Sequence, residues 1–302
     1  VDLKIKINYP EKVNNSSWFH PFYPEETSKY KFIFTEKNDV DIVYNNIYDY
    51  TDTPISAYEN EDSVLVPMPL YGKEINRKFN VIPVPLVMQH ENWNITSNIE
   101  LLNKLRTNTK KYDFTFVGDI NDWGFDTDDD RIVDGRIYSE FHDFYYNLDD
   151  YLEVNREFLY ELKLDNFYLE NVENKIWDLP LNVRIKKVTE FIRKLSVSKF
   201  CFTPRGAGSS SYRLYESLMV GTIPIITGMK DYPFSDKVDW DTFSIRADSQ
   251  RDINELVENA KGLTEGEYKI MRQNGIDFWE QYCRLDNLHD WVIESFLLNE
   301  SR

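Results

Sequence analysis

FTPRGAGSSSYRLYESLMVGTIPIIT, residues 202–227, joins two apolar runs through a loop of small residues and a helix. An apolar run, KFCFTP (199–204), ends at Pro204. A loop of small residues follows, Gly206-Ala207-Gly208-Ser209-Ser210-Ser211, and opens into SSYRLYESLMVG (210–221), a helix closed by Gly221. TIPIIT (222–227) is a second continuous apolar run. Strands without polar alternation are buried on both faces, and a helix between two of them makes the crossover of a parallel sheet.

The same alternation extends in both directions. Upstream, YDFTFVGDI (112–120) is an apolar strand running into Gly-Asp, and NVRIKKVTEFIRKL (182–195) puts Val183, Val188, Phe191, Ile192 and Leu195 on roughly one helical face. Downstream, FSIRA (243–247) reads as a strand, followed by helices at DINELVENAKG, EGEYKIMRQNGIDFWEQYC and LHDWVIESFLL. The first third is different. LKIKI (3–7), KFIF (31–34), DIVY (41–44), SVLVPM (63–68) and NVIPVPLVM (80–88) are short strands bounded by Asn, Asp, Gly or Pro, with IELLNKLR (99–106) as the clear helix. Polar TNTKK near 107–112 marks the expected boundary. The division reads as 1–110, 111–284 and a terminal helix at 285–302.

The loop at 206–211 has the chemistry of an anion site. A helix N-terminus carries unpaired N–H groups and partial positive charge, and glycine lets an anion approach the backbone. Ser209, Ser210 and Ser211 supply an N-cap and further donors. Arg205 and Arg213 add forked donors suited to phosphate. Glu216, three positions after Arg213, falls on the same helical face, where a carboxylate can accept both hydroxyls of a ribose. The loop is neither a Walker motif nor G-x-G-x-x-G, so the pattern by itself also describes an ordinary capped helix.

Charge sharpens the expectation. The chain of 302 residues carries 52 acidic and 35 basic side chains, a formal −17, which argues against a surface that binds nucleic acid or anionic membrane at large. Yet residues 183–213 hold eight Lys/Arg against the single acid Glu190, so cations converge in sequence on the loop. Residues 119–173 carry the opposite balance, seventeen acids and four bases. Cys201 and Cys283 are too few for a disulfide framework or a thiolate zinc site and read as buried thiols. No apolar run approaches a membrane span.

The ordered series PRG, small-residue loop, RLYESL, GTIPII, then PFSD, DW and FS, over roughly 199–283, resembles the C-terminal half of exostosin-type glycosyltransferases, glycosyltransferase family 47. FTFVGD (114–119) fits the strand that begins that domain, and residues 1–110 offer no matching motif. The resemblance implies a GT-B fold: two Rossmann-like domains facing a cleft, the first binding the acceptor and the second the nucleotide-sugar, with C-terminal helices returning to brace the first. It also implies an inverting enzyme. A sugar of the xylose, galactose or glucuronate type would pass from UDP to a hydroxyl of a saccharide or glycoprotein, with no metal or other cofactor. Carried over by position, Arg205 and Arg213 neutralise the diphosphate, Glu216 holds the ribose, Gly206, Gly208 and the serines 209–211 offer donors, and Asp236 lies near the donor sugar.

The acceptor's base is chosen from loops: His20 in SSWFHPFYPEE first, then Glu91 after the NVIPVPLVM strand. DTDDDR (126–131) has spacings a metal-dependent transferase would use, but it reads as an exposed acidic loop. A GDP-fucose-type fucosyltransferase and a non-catalytic carbohydrate-binding protein of the same fold are the alternatives. The expected location is the cytoplasm of a bacterium or virus-infected host, or the Golgi lumen if an anchor precedes Val1.

Overall fold

The computed structural model describes residues 2–8, 29, 31–34, 42–45, 64–68, 80–83, 98–118, 120, 158–172, 179–204, 211–227, 229, 232–247, 253–284, 287–288, 290–291 and 293–294. Two sheets emerge, each of five parallel strands. The first contains β1 (Asp2–Asn8), β2 (Lys31–Phe34), β3 (Ile42–Asn45), β4 (Val64–Met68) and β5 (Asn80–Pro83), in the order β2-β1-β3-β4-β5. The second contains β6 (Tyr112–Gly118), β7 (Phe167–Asn171), β8 (Ser198–Pro204), β9 (Ile223–Thr227) and β10 (Ile245–Ala247), in the order β10-β9-β8-β6-β7. Counted within its own half, each sheet has the order second-first-third-fourth-fifth, that of a doubly wound α/β sheet. The expected α/β class and pair of Rossmann-like sheets are therefore present.

β7 was not anticipated. FYLEN lies in the acidic stretch, where its polar residues mask a strand. As the edge strand beside β6, it keeps one side free of ladder bonds, a position that tolerates charge. Phe167 and Leu169 pack towards the core, while Glu170 on the alternate face is bound by Lys194 and Tyr168.

The second sheet is covered on both faces. Around it stand α1 (Ile99–Arg106), α2 (Phe158–Glu161), α3 (Leu181–Ser196), α4 (Tyr212–Met219), α5 (Ile253–Gly262) and α6 (Glu265–Phe278). Period-two alternation divides each strand between two cores. Phe200, Phe202, Ile223 and Ile225 join Phe114 and Phe116 on the α5 side, while Cys201 and Ile226 join residues of α3 and α4 on the other. Cys201 and Cys283 are both buried free thiols, as expected, and burial pushes the Cys201 pKa up to about 11. α1 also belongs to this body, since its Leu102 and Leu105 lie in the α3–α4 core. Leu288 and Ile293 pack there too, and Glu294 ion-pairs with Lys29, just ahead of β2. Among the described residues, no helix is long and apolar enough to cross a membrane.

α6 begins at a capping box: the Thr264 hydroxyl accepts from the Glu267 amide, and the Glu267 carboxylate accepts from the Thr264 amide. It continues into a π turn, Trp279–Cys283. Trp240 is the hub of the adjoining aromatic cluster. It is fully enclosed, lies within 5.0 Å of the ring centroids of Tyr232, Phe243 and Phe278, and donates from Nε1 to the Pro233 carbonyl at 3.0 Å.

Where helices end and strands begin, three cations gather. Arg106 donates to Met219 O at 2.9 Å and Arg272 to Gly221 O at 3.1 Å. Lys110 donates to Ser196 O at 2.9 Å, Gly221 O at 3.0 Å and the Thr222 hydroxyl at 3.4 Å. Burial, aided by the Arg272 charge, pushes the Lys110 pKa down to about 7.

Two predictions follow from this packing. Trp240→Phe orphans the Pro233 carbonyl and should cost about 1–3 kcal/mol in urea unfolding, against about 3–5 kcal/mol for Trp240→Ala; a Trp240→Phe protein as stable as wild type would remove the clamp. An unfolded lysine keeps its proton to about pH 10.4, whereas folded Lys110 loses it near 7. Below that pH the buried charge opposes folding in full, and the opposition lifts as pH rises towards about 10. The stability of wild type relative to Lys110→Met should therefore climb from about pH 7 to about pH 10. A flat difference would refute the depressed pKa.

Candidate functional site

In the second sheet the chain moves from β6 to β7 on one side and then returns to β8 on the other, so β6 and β8 flank the switch point. At such a point the crossovers diverge and leave a crevice at the carboxyl ends of the strands, the usual ligand position in open α/β sheets. One functional candidate reaches into that place. Arg213 stands in the first turn of α4, the helix entered after β8, and its side chain extends to the end of β6. Nε donates to the Val117 carbonyl at 2.9 Å, and the guanidinium carbon lies 4.2 Å from the centroid of the Phe116 ring. A Cβ on Gly118 would come within 1.9 Å of an Arg213 terminal nitrogen, so the guanidinium occupies space that only glycine leaves.

The rest of α4 fixes that placement. Leu214, Tyr215, Leu218 and Met219 are buried, which sets the helix rotation. The Ser217 hydroxyl donates back to the Arg213 carbonyl at 2.7 Å. Gly221, at φ 66°, reverses the chain into β9 as anticipated. Burial lowers the Arg213 pKa, while the nearby Cys201 and Glu216 act in the opposite sense. Glu216 lies one turn along and is 5% exposed, so this carboxylate is enclosed within the site region and not on the solvent face of the helix. Ser211 takes the N-cap position with extended backbone, but its side chain makes no cap bond.

Asp236 is brought to a different kind of position. Its carboxylate is exposed and pairs with Lys237 at 3.1 Å. The turn that presents it is rigidly built. Phe234 has a φ of 58° although buried, a costly conformation for a bulky residue, and is held against Tyr282 with centroids 5.0 Å apart. The Trp240 hydrogen bond to Pro233 braces the same turn.

Arg205, Gly206, Gly208, Ser209 and Ser210 lie outside the described residues, as do both candidate bases, His20 and Glu91, and the acidic loop 126–131. Among the described residues no three His, Cys, Asp or Glu side chains form a metal-binding group.

The cation count is corrected by the topology. Lys199 is the second residue of β8 and pairs with Asp113, the second residue of β6, at 2.8 Å. That is the opposite end of the strands from Arg213. Lys194 is bound to Glu170 on the sheet edge. Sequence proximity counted these charges towards the loop, but an α/β crossover carries half of its residues to the far end of the sheet. Sequence reading also passed over Phe116 and Gly118, which looked like plain strand residues, and Thr227. The Thr227 hydroxyl, at the end of β9 beside Pro204, is buried and has no hydrogen-bond partner among the described residues. A polar residue closing an apolar strand is the only trace it leaves in the sequence.

Known proteins have sequences similar to about a third of this chain. The chain is 29% identical over 96 residues to an exostosin-1 homolog of Caenorhabditis elegans, covering 32% of this chain and 25% of that protein. It is 32% identical over 89 residues to exostosin-1 of Drosophila melanogaster, covering 29% of this chain and 12% of that protein. These alignments thus span a quarter or less of each relative. A solved glycosyltransferase from Rickettsia africae superposes with a TM-score of 0.41 at 10% identity, over 89% of this chain and 84% of that one, a likeness too distant to carry weight beside the sheet topology. The exostosin GT47 domain profile matches residues 70–261, from the approach to β5 through most of α5 and across the whole β8–α4–β9 unit. With well over half of its length inside that match, the chain belongs to the exostosin GT47 family.

Proposed function

We propose that this chain is a glycosyltransferase that moves a sugar from a nucleoside diphosphate, UDP in the first instance, to a saccharide hydroxyl in glycan synthesis. The observation that carries the reading is Arg213. A half-buried arginine is delivered by the helix after β8 to the end of β6, at the switch-point crevice where an open α/β sheet takes its ligands. Diphosphate is the chemistry such a cation serves. The leaving group gains charge as the glycosidic phosphate bond breaks, and a fixed guanidinium stabilises that charge without reorganising.

In the proposed mechanism the donor lies along the carboxyl ends of β6 and β8. Arg213, with Arg205 and the amides of the 206–211 loop, faces the diphosphate, and Glu216 accepts the ribose hydroxyls. Asp236 stands towards the transferred sugar. A base in the N-terminal half, His20 or failing that Glu91, takes the proton of the acceptor hydroxyl. The acceptor oxygen attacks the anomeric carbon from the face opposite the diphosphate. One carbon–oxygen bond forms as the other breaks, the nucleoside diphosphate departs with the bonding electrons, and the anomeric configuration inverts. The arginines and amides supply the charge stabilisation that a divalent ion provides elsewhere, so the reaction is proposed to need no metal.

A screen of UDP- and GDP-sugars with saccharide acceptors, following nucleotide release with and without Mn²⁺ or a chelator, tests this directly. Release of UDP, undiminished by the chelator, is expected. GDP release would instead favour a fucosyl-type donor, and no release with any donor would refute the activity. Arg213→Ala should lower donor turnover about a hundredfold, and unchanged turnover would remove Arg213 from the site. His20→Ala should lower kcat by about 10²-fold or more at unchanged nucleotide affinity. If kcat survives in that protein but falls in Glu91→Gln, the base is Glu91.

A further inference from the structure

Several cations among the described residues are held by carboxylates. Arg106 and Arg284 both pair with Glu280, at 2.6 and 3.1 Å, Arg246 with Asp241 through Nη2 at 3.1 Å, and Lys199 with Asp113 at 2.8 Å. Such pairs neutralise the charge they position. Arg213 is held in another way. Its guanidinium lies against the face of the Phe116 ring, the carbonyl of Val117 and the bare Cα of Gly118, three successive residues at the end of β6, while the Glu216 carboxylate one turn along acts on it through its charge. A ring face and a carbonyl attract a guanidinium and fix its plane but carry no formal charge. The third contact is a vacancy, the space where any side chain at 118 would begin.

We infer that the Phe116–Val117–Gly118 end of β6 is the positioning element for Arg213, holding its guanidinium by uncharged contacts so that the full cation faces the diphosphate of the donor. This rests on the proposed reading of Arg213 as a diphosphate ligand. Phe116 supplies the plane on which the guanidinium lies, and Val117 takes up Nε and so leaves the terminal nitrogens for the ligand. Gly118 sets how far along the strand the group can sit. With a methyl at 118, the Arg213 terminal nitrogen must move, and at φ 158° the backbone is strained as well. Only the part of the effect that disappears without Arg213 acts through the cation. Phe116 is fully buried in the core beneath, so the ring is as immobile as the sheet.

The test is calorimetric binding of UDP, GDP and the free nucleosides to wild type, Phe116→Leu, Phe116→Tyr, Gly118→Ala and Arg213→Ala, and to each β6 substitution combined with Arg213→Ala. Affinity for the nucleoside diphosphate should fall about 3- to 30-fold in Phe116→Leu and about tenfold in Gly118→Ala, and Phe116→Tyr should restore it. Both losses should vanish in the Arg213→Ala background and be absent for the nucleoside, because the β6 residues act only through the arginine. Losses that persist without Arg213, or that are equal for the nucleoside, would reduce β6 to a structural role and overturn the inference. So would wild-type affinity in Gly118→Ala, which also decides the matter if Phe116→Leu does not fold. Binding of neither diphosphate by wild type would instead overturn the underlying reading, and the inference with it.

Discussion

The carboxyl ends of α1, α3 and α4 converge where β6, β8 and β9 begin, and the fold depends on what neutralises them. Each helix end presents carbonyls with no intrahelical donor and a partial negative charge. Brought together beneath a sheet, they would repel and remain unsatisfied. Arg106 and Arg272 meet both needs and Lys110 meets the first, each donating to main-chain carbonyls of these turns, with Arg272 reaching Arg106 O as well as Gly221 O. Arg106 spans furthest, joining the end of α1 to Met219 O at the end of α4 and to Glu280 in the π turn. The position of α4, and so of Arg213 at its other end, is set from this junction. A helix of eight residues fixed by its carboxyl end delivers its first turn to one place.

That division of labour explains which parts of the molecule were legible in the sequence. Most strands follow from apolar runs between turn residues, and in β6, β8 and β9 burial on two faces leaves little choice of residue. β7 escaped because an edge strand is free of that constraint: Tyr168 and Glu170 face Lys194 at the margin of the sheet, and FYLEN resembles its acidic surroundings. The helix caps were legible in part. Gly221 has the positive φ its position requires. Ser211 does not make the side-chain cap its residue type predicts.

The site was legible where its chemistry is local and illegible where it is not. Arg213 and Glu216 stand three apart on one helix, so their nearness can be read from spacing. Phe116 and Gly118 are nearly a hundred residues earlier, and nothing in FTFVGD distinguishes a ring that carries an arginine from the phenylalanines that fill the core. Three-dimensional placement also reversed one inference from spacing. The basic run at 183–213 seemed to focus on a single loop, yet α3 runs antiparallel to the strands, and Lys199 at the start of β8 is spent on Asp113. A charge count along a crossover measures two opposite ends of a sheet at once.

The uncharged hold on Arg213 bears on how a chain of −17 can receive an anion at all. Long-range repulsion is screened beyond about a Debye length, roughly 8 Å in physiological salt, so the net charge chiefly affects encounter and little of the bound state. Inside the crevice the local field decides. An arginine neutralised by a carboxylate, as Arg246 is by Asp241, offers an anion little net attraction, because the ligand must compete with a partner already in place. An arginine resting on a ring and a carbonyl retains its charge, and its desolvation is the cost, visible in the lowered pKa. A diphosphate bound there, as proposed, would repay that cost, since two opposite charges in a low-dielectric crevice attract more strongly than in water. The same argument gives Glu216 a limited part. At one turn's distance its charge moderates the isolation of the half-buried cation, and the ring and carbonyl of β6 still set where that cation points.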